Sequence, residues 1–130
     1  MDTTKNEEPV LRLHRVSETV VPLLLILQPS GLVLRVEEPD VLVGRHSEAD
    51  LRLPLPDVSR RHCRLQFFGG SWSVTDLNSL NGVQLNGQTV KRATIQHGDR
   101  LRIGGFTFLV QIGQAGHVQS ILQTLRRKAS

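Results

Sequence analysis

Between residues 23 and 112 the apolar residues come in short runs, each broken within a few positions by glycine, proline, asparagine or aspartate. Cys63, Leu65 and Phe67 alternate with Arg64 and Gln66, the period of two that turns one strand face to a core and the other to water. Residues 23–28 read as a buried strand, Pro29-Ser30-Gly31 as a turn, and residues 32–36 as the returning strand of a hairpin. A second turn at Glu37-Glu38-Pro39-Asp40 leads into Val41-Leu42-Val43, a short buried strand ending at Gly44-Arg45. Leu51 and Leu53 flank Arg52, and Pro54-Leu55-Pro56-Asp57 then imposes a loop, because two prolines remove donors and restrict φ. Gly69-Gly70 turns the chain into a strand carrying Trp72, Val74 and Leu77. Asn86-Gly87, set between Val83-Gln84-Leu85 and Thr89-Val90, signals a two-residue hairpin, since both turn positions favour φ > 0. Leu101-Arg102-Ile103 and residues 106–110 form a last hairpin around Gly104-Gly105.

Many short strands with closely spaced turns predict an all-β fold, an antiparallel sandwich. No strand–helix–strand rhythm appears, which excludes a doubly wound sheet. Beyond residue 112 the period changes: Val118, Ile121, Leu122 and Leu125 follow the i, i+3, i+4, i+7 spacing of an apolar helix stripe. Arg126, Arg127 and Lys128 fall in its last turn, where cations complement the helix dipole. Such a helix either packs back on the sandwich or serves a partner or a membrane surface. Residues 1–19 are polar and of mixed charge, the composition of a flexible tail. The chain therefore divides into a tail at 1–19, a domain at 20–112 and a C-terminal amphipathic helix and basic tail at 113–130.

Composition narrows the function. A chain of 130 residues is the size of one domain with a real core, and with four Phe, one Trp and no Tyr that core rests on Leu, Ile and Val. The single cysteine excludes an internal disulfide and fits a reducing cytoplasm. Of the net charge of +4, three units come from Arg126, Arg127 and Lys128, so no basic, aromatic-laced stripe points to nucleic acid. The apolar run at 20–27 contains Pro22, is too short to span a bilayer and follows acidic residues, so neither membrane insertion nor a signal peptide is expected. His14, His46, His62, His97 and His117 lack metal-ligand spacing, and neither a Gly-Lys-Ser phosphate loop nor a Gly-x-Ser-x-Gly elbow occurs. No metal, cofactor or enzymatic activity is expected.

Three polar clusters sit where strands give way to loops: Gly44-Arg45, Ser59-Arg60-Arg61-His62 and Asn78-Ser79-Leu80-Asn81-Gly82. Gathered at one end of a sandwich, their guanidinium, hydroxyl and amide groups would suit a phosphate. Together with Asp76-Leu77, Asn86-Gly87 and Gly98-Asp99 followed by Leu101-Arg102-Ile103-Gly104, they resemble the forkhead-associated (FHA) domain. That family consists of phosphothreonine-binding β-sandwiches, and the resemblance runs over roughly residues 22–112.

The resemblance implies a twisted sandwich of about eleven strands and a non-catalytic, cytoplasmic adaptor for phosphothreonine-containing proteins, with a Ser/Thr kinase acting upstream. It makes Arg45 the principal phosphate contact, Ser59 a hydroxyl donor, Arg60 (or its neighbour Arg61) a basic side contact, and Leu80 a contact through its backbone N–H. Asn81 would grip the ligand backbone, while Gly44, His62, Ser79 and Gly82 would support the loops. Leu80 departs from the family, which usually has Thr or Ser there; a lost hydrogen bond to a charged group costs about 1.5–3 kcal/mol. The alternative is a phospho-independent scaffold using the sandwich faces or the C-terminal helix. A phosphate on Thr3 or Thr4 of the tail could also occupy the chain's own pocket.

Overall fold

The computed structural model describes residues 19–113. The expected tail up to residue 18, Thr3 and Thr4 within it, and the C-terminal helix lie outside the described residues. In chain order the strands are β1 (Leu23–Leu27), β2 (Val33–Val36), β3 (Asp40–Gly44), β4 (Leu51–Arg52), β5 (Cys63–Phe68), β6 (Ser71–Asp76), β7 (Val83–Leu85), β8 (Gln88–Val90), β9 (Arg92–Ile95), β10 (Arg100–Ile103) and β11 (Phe106–Ile112). They form a six-stranded sheet in the order β2-β1-β11-β10-β7-β8 and a five-stranded sheet in the order β4-β3-β5-β6-β9. The all-β sandwich of eleven strands is the fold that the periodicity and the resemblance anticipated.

Two details differ from the sequence reading. The pairings are antiparallel except that of β4 with β3, which is parallel, Val43 opposite Leu51. The connection between them swings out and back, pinned where the Leu42 N–H donates to Asp50 Oδ2 at 2.8 Å. Strand β9 was not foreseen: of Arg92, Ala93, Thr94 and Ile95 only Ile95 is fully buried, so the segment lacks an apolar signature and is held by pairing with β6.

The inner faces of the two sheets meet in one core. Among the described residues, fourteen of its eighteen buried apolar residues are Leu, Ile or Val, as the scarcity of aromatics requires. Trp72 is the largest of them; its ring lies 5.4 Å from Phe67, and its Nε1–H donates to the Val21 carbonyl at 2.7 Å. Each such side chain contributes about 1.5–3 kcal/mol on leaving water. Asn86 and Gly87, at φ 53° and 86°, make the left-handed two-residue turn between β7 and β8.

Register decides where the loops go. Val43 opposes Cys63, and Cys63 opposes Asp76, so this row closes one end of the five-stranded sheet. The segments just beyond it, residues 45–50, 53–62 and 77–82, therefore emerge side by side.

Cys63 is a free, fully buried thiol, and burial followed by the nearby Asp76 carboxylate pushes its pKa up to about 12. Because the folded value is raised, this thiol's stabilising contribution is complete below the unfolded value near 9 and is lost as pH climbs toward 12. Denaturant melts between pH 8 and pH 11 should show falling stability, with a shallower decline in Cys63→Val. Thiol reagents at pH 8 should label the wild type only as it unfolds.

Candidate functional site

The middle loop, residues 53–62, is the hub of the three. On one side it binds the β3–β4 loop: the Arg45 N–H donates to the Ser59 carbonyl at 2.9 Å, and the His46 N–H to the Arg60 carbonyl at 3.2 Å. Arg45 Nε donates to the Val58 carbonyl at 3.0 Å; from the end of β4, Arg52 Nε donates to the Arg45 carbonyl at 3.1 Å. On the other side it binds the β6–β7 loop: the Leu80 N–H donates to Ser59 Oγ at 2.9 Å and Asn81 Nδ2 to the Asp57 carbonyl at 2.7 Å.

His62 lies beneath these contacts and is fully buried. Its Nδ1 accepts the Ser59 N–H at 3.0 Å, so that nitrogen carries no proton. Nε2 is then the protonated nitrogen, and it donates to the Gly82 carbonyl at 2.7 Å. One ring thus joins the middle loop to the end of the β6–β7 loop. That second loop is closed on itself by Ser79, whose Oγ donates to Asp76 Oδ1 at 2.5 Å and accepts the Gly82 N–H at 2.9 Å. Asn78 and Gly82 sit at positive φ, 58° and 77°, a conformation these two residue types tolerate.

Gly44 has a different role. A Cβ there would overlap the Arg60 carbonyl, so only glycine lets the middle loop lie flat against the end of β3. Gly104 and Gly105 do the same from below, for Cβ atoms on them would run into Asp57. The sequence placed these two at a hairpin turn, with Gly104 also among the residues of the resemblance. Their second duty, seating the middle loop, is a close approach between residues far apart in sequence and has no local signature.

The structure therefore gathers Arg45, Ser59, Leu80 and Asn81 at one end of the sandwich. Arg45 spends Nε on the middle loop, and the terminal donors of its fork are not used in that bond. Ser59 Oγ, accepting from Leu80, retains its own proton to donate. Two expected contacts are engaged within the protein here: the Leu80 N–H is given to Ser59, and one Asn81 amide proton to Asp57. Asn81 keeps its second N–H and its carbonyl oxygen. The Leu80 side chain is 88% exposed. Arg60 and Arg61 are both exposed and line one shallow hollow beside the site with Leu42, His46 and Glu48. Among the described residues no three His, Cys, Asp or Glu gather to hold a metal ion, and no helix is long and apolar enough to cross a membrane.

The family profile described as "FHA domain" matches residues 41–104, the span holding all three loops. The chain is 36% identical over 84 residues to the glycogen accumulation regulator GarA of Mycolicibacterium smegmatis, covering 65% of this chain and 53% of that protein. It spans 53% of the length of that regulator, 61% of the oxoglutarate dehydrogenase inhibitor of Corynebacterium efficiens and only 16% of FhaA of Mycobacterium tuberculosis. It superposes with a TM-score of 0.66 on a structure from a structural and functional analysis of phosphothreonine-dependent FHA domain interactions, at 32% identity and covering 72% of this chain and 98% of that one. The FhaA FHA domain complexed with the intracellular domain of Rv3910 gives 0.63 at 33% identity, covering 68% and 99%.

Truncating His62 to alanine strands the Ser59 N–H and the Gly82 carbonyl and opens a cavity under the loops. His62→Ala should lose about 2–4 kcal/mol of unfolding free energy in denaturant titrations. His62→Gln, which can still bond one of the two partners, should lose less.

Proposed function

The chain belongs to the forkhead-associated (FHA) domain family, and from that premise we propose that it is a phosphothreonine-dependent binding module for a partner modified by a Ser/Thr kinase. The observation that carries this reading is the joining of Arg45, Ser59 and Asn81 on three bonded loops at one end of the sandwich. In it the Arg45 fork and the Ser59 hydroxyl take the phosphate, with Arg60 as a basic side contact. A guanidinium fork matches phosphate oxygens with two parallel bonds, a geometry lysine lacks. Asn81 takes the ligand backbone with the amide proton and carbonyl that remain free, or by releasing Asp57. The loops are bonded to one another by the protein's own groups, so little ordering entropy opposes binding. The module binds without catalysing, and its free buried thiol agrees with a cytoplasmic setting.

A second, phospho-independent reading rests on Phe68, an aromatic 84% exposed on β5 and flanked by Arg92, Ser71 and Ser73 in an adjoining hollow. Phe68→Ser separates the two, since it should weaken a partner bound to the sheet face and leave phosphopeptide binding unchanged.

The test is a calorimetric titration of one peptide in phosphothreonine, phosphoserine, glutamate and unmodified threonine forms, drawn from a degenerate phosphothreonine library. Binding should be confined to the phosphothreonine form and fall at least tenfold in Arg45→Ala. Absence of any phosphate-dependent binding across the library would overturn the reading. Leu80→Thr should tighten the phosphothreonine peptide by about tenfold, one charged hydrogen bond restored. An unchanged affinity would show that the side chain at 80 does not reach the phosphate.

A further inference from the structure

Beside the three loops lies a hollow of about 220 Å³, lined by Leu42, His46, Glu48, Arg60 and Arg61. Resting on the phosphothreonine reading above, we propose that this hollow is a second anion subsite, which takes an acidic or phosphorylated side chain of the same ligand.

Its walls continue the primary site directly. His46 follows Arg45, and Arg60 and Arg61 follow Ser59, so each wall is only a Cα step or two, about 3.8 Å each, from a phosphate-binding residue. The two walls are tied where the His46 N–H donates to the Arg60 carbonyl at 3.2 Å. The Glu48 N–H donates to His46 Nδ1 at 3.0 Å, which leaves the proton on Nε2 and makes that nitrogen a donor. The hollow thus offers the Arg61 guanidinium fork, the Arg60 guanidinium that it shares with the primary site, and an imidazole N–H against one carboxylate.

Among the described residues neither arginine is neutralised by a carboxylate, and Arg61 serves the hollow alone. Elsewhere on the five-stranded sheet Arg64 is neutralised by Asp40 at 2.6 Å, whereas among the described residues neither Arg60 nor Arg61 takes part in an ion pair. The volume matches about seven waters at liquid density, room for a carboxylate or phosphate with part of its hydration shell. An extended ligand advances about 3.3 Å per residue, which places the second anion within about three residues of the phosphothreonine. Glu48 is the counterweight: it repels the same anion and sets the strength of the preference.

The experiment uses the full chain and a neutral phosphothreonine peptide in which glutamate, or in a parallel series phosphoserine, is moved through the three positions on either side. Affinities are measured for wild type, Arg61→Ala, Glu48→Gln and Arg45→Ala. At one or two positions the added anion should tighten wild-type binding about fivefold or more. Arg61→Ala should lose that gain while binding the neutral parent peptide within twofold of wild type, and Glu48→Gln should enlarge it. A larger gain with phosphoserine than with glutamate assigns the subsite to doubly phosphorylated ligands, and equal gains assign it to acidic ones. Should the parent peptide bind in an Arg45-dependent way and no position show a gain, or the gain survive Arg61→Ala, the subsite falls and the phosphothreonine reading stands. Should the parent peptide fail to bind, both fall together.

Discussion

One buried imidazole holds the functional end of this molecule together. With Nδ1 accepting from Ser59 and Nε2 donating to Gly82, His62 ties two loops whose sequences are twenty residues apart, counted from His62 to Gly82. A lysine or arginine could only donate and a carboxylate could only accept, so neither would satisfy both backbone groups. Because the ring is fully buried, both bonds are made away from water, where leaving either partner unmade is expensive. The orientation of the Ser59 backbone, and through it the position of Ser59 Oγ and the Leu80 N–H, follows from this ring.

Around that clamp the middle loop is confined from three directions. Gly44 admits its carbonyl edge, Gly104 and Gly105 seat Asp57, and Arg45 binds it through both main chain and Nε. Arg45, Ser59 and Asn81 are therefore carried by loop backbone that is hydrogen-bonded to the neighbouring loops. Rigidity of this kind limits what a ligand must order and leaves discrimination to the side chains at the rim. Those rim residues include an exposed leucine at 80, adjacent exposed arginines at 60 and 61, and an exposed acid at 48.

Much of this was readable from local pattern. Alternation in residues 63–67 marks β5, Asn86-Gly87 marks a hairpin, and the prolines at 54 and 56 mark the middle loop. These signals survive because they depend only on side-chain period and on φ preferences, which each residue carries with it. Strand β9 and the parallel pairing of β4 were not readable, since Arg92–Ile95 and Leu51–Arg52 are too short and too polar to declare a strand alone. Their backbone is in a sheet because neighbouring strands offer unpaired donors and acceptors at that edge.

The site divides along the same line. Residue types and their order determined that arginine, serine and asparagine stand at strand ends, and hence which chemistry is present. Only the tertiary structure decided which of their groups are already taken: Asn81 by Asp57, the Leu80 N–H by Ser59, and Arg45 Nε by Val58. It alone also set Arg60 and Arg61 together in one hollow with His46 and Glu48. The physical reason is that hydrogen-bond partners here are backbone carbonyls and amides, which every residue possesses alike. Sequence cannot distinguish one such group from another; the register of Val43, Cys63 and Asp76, by fixing which loops emerge together, does.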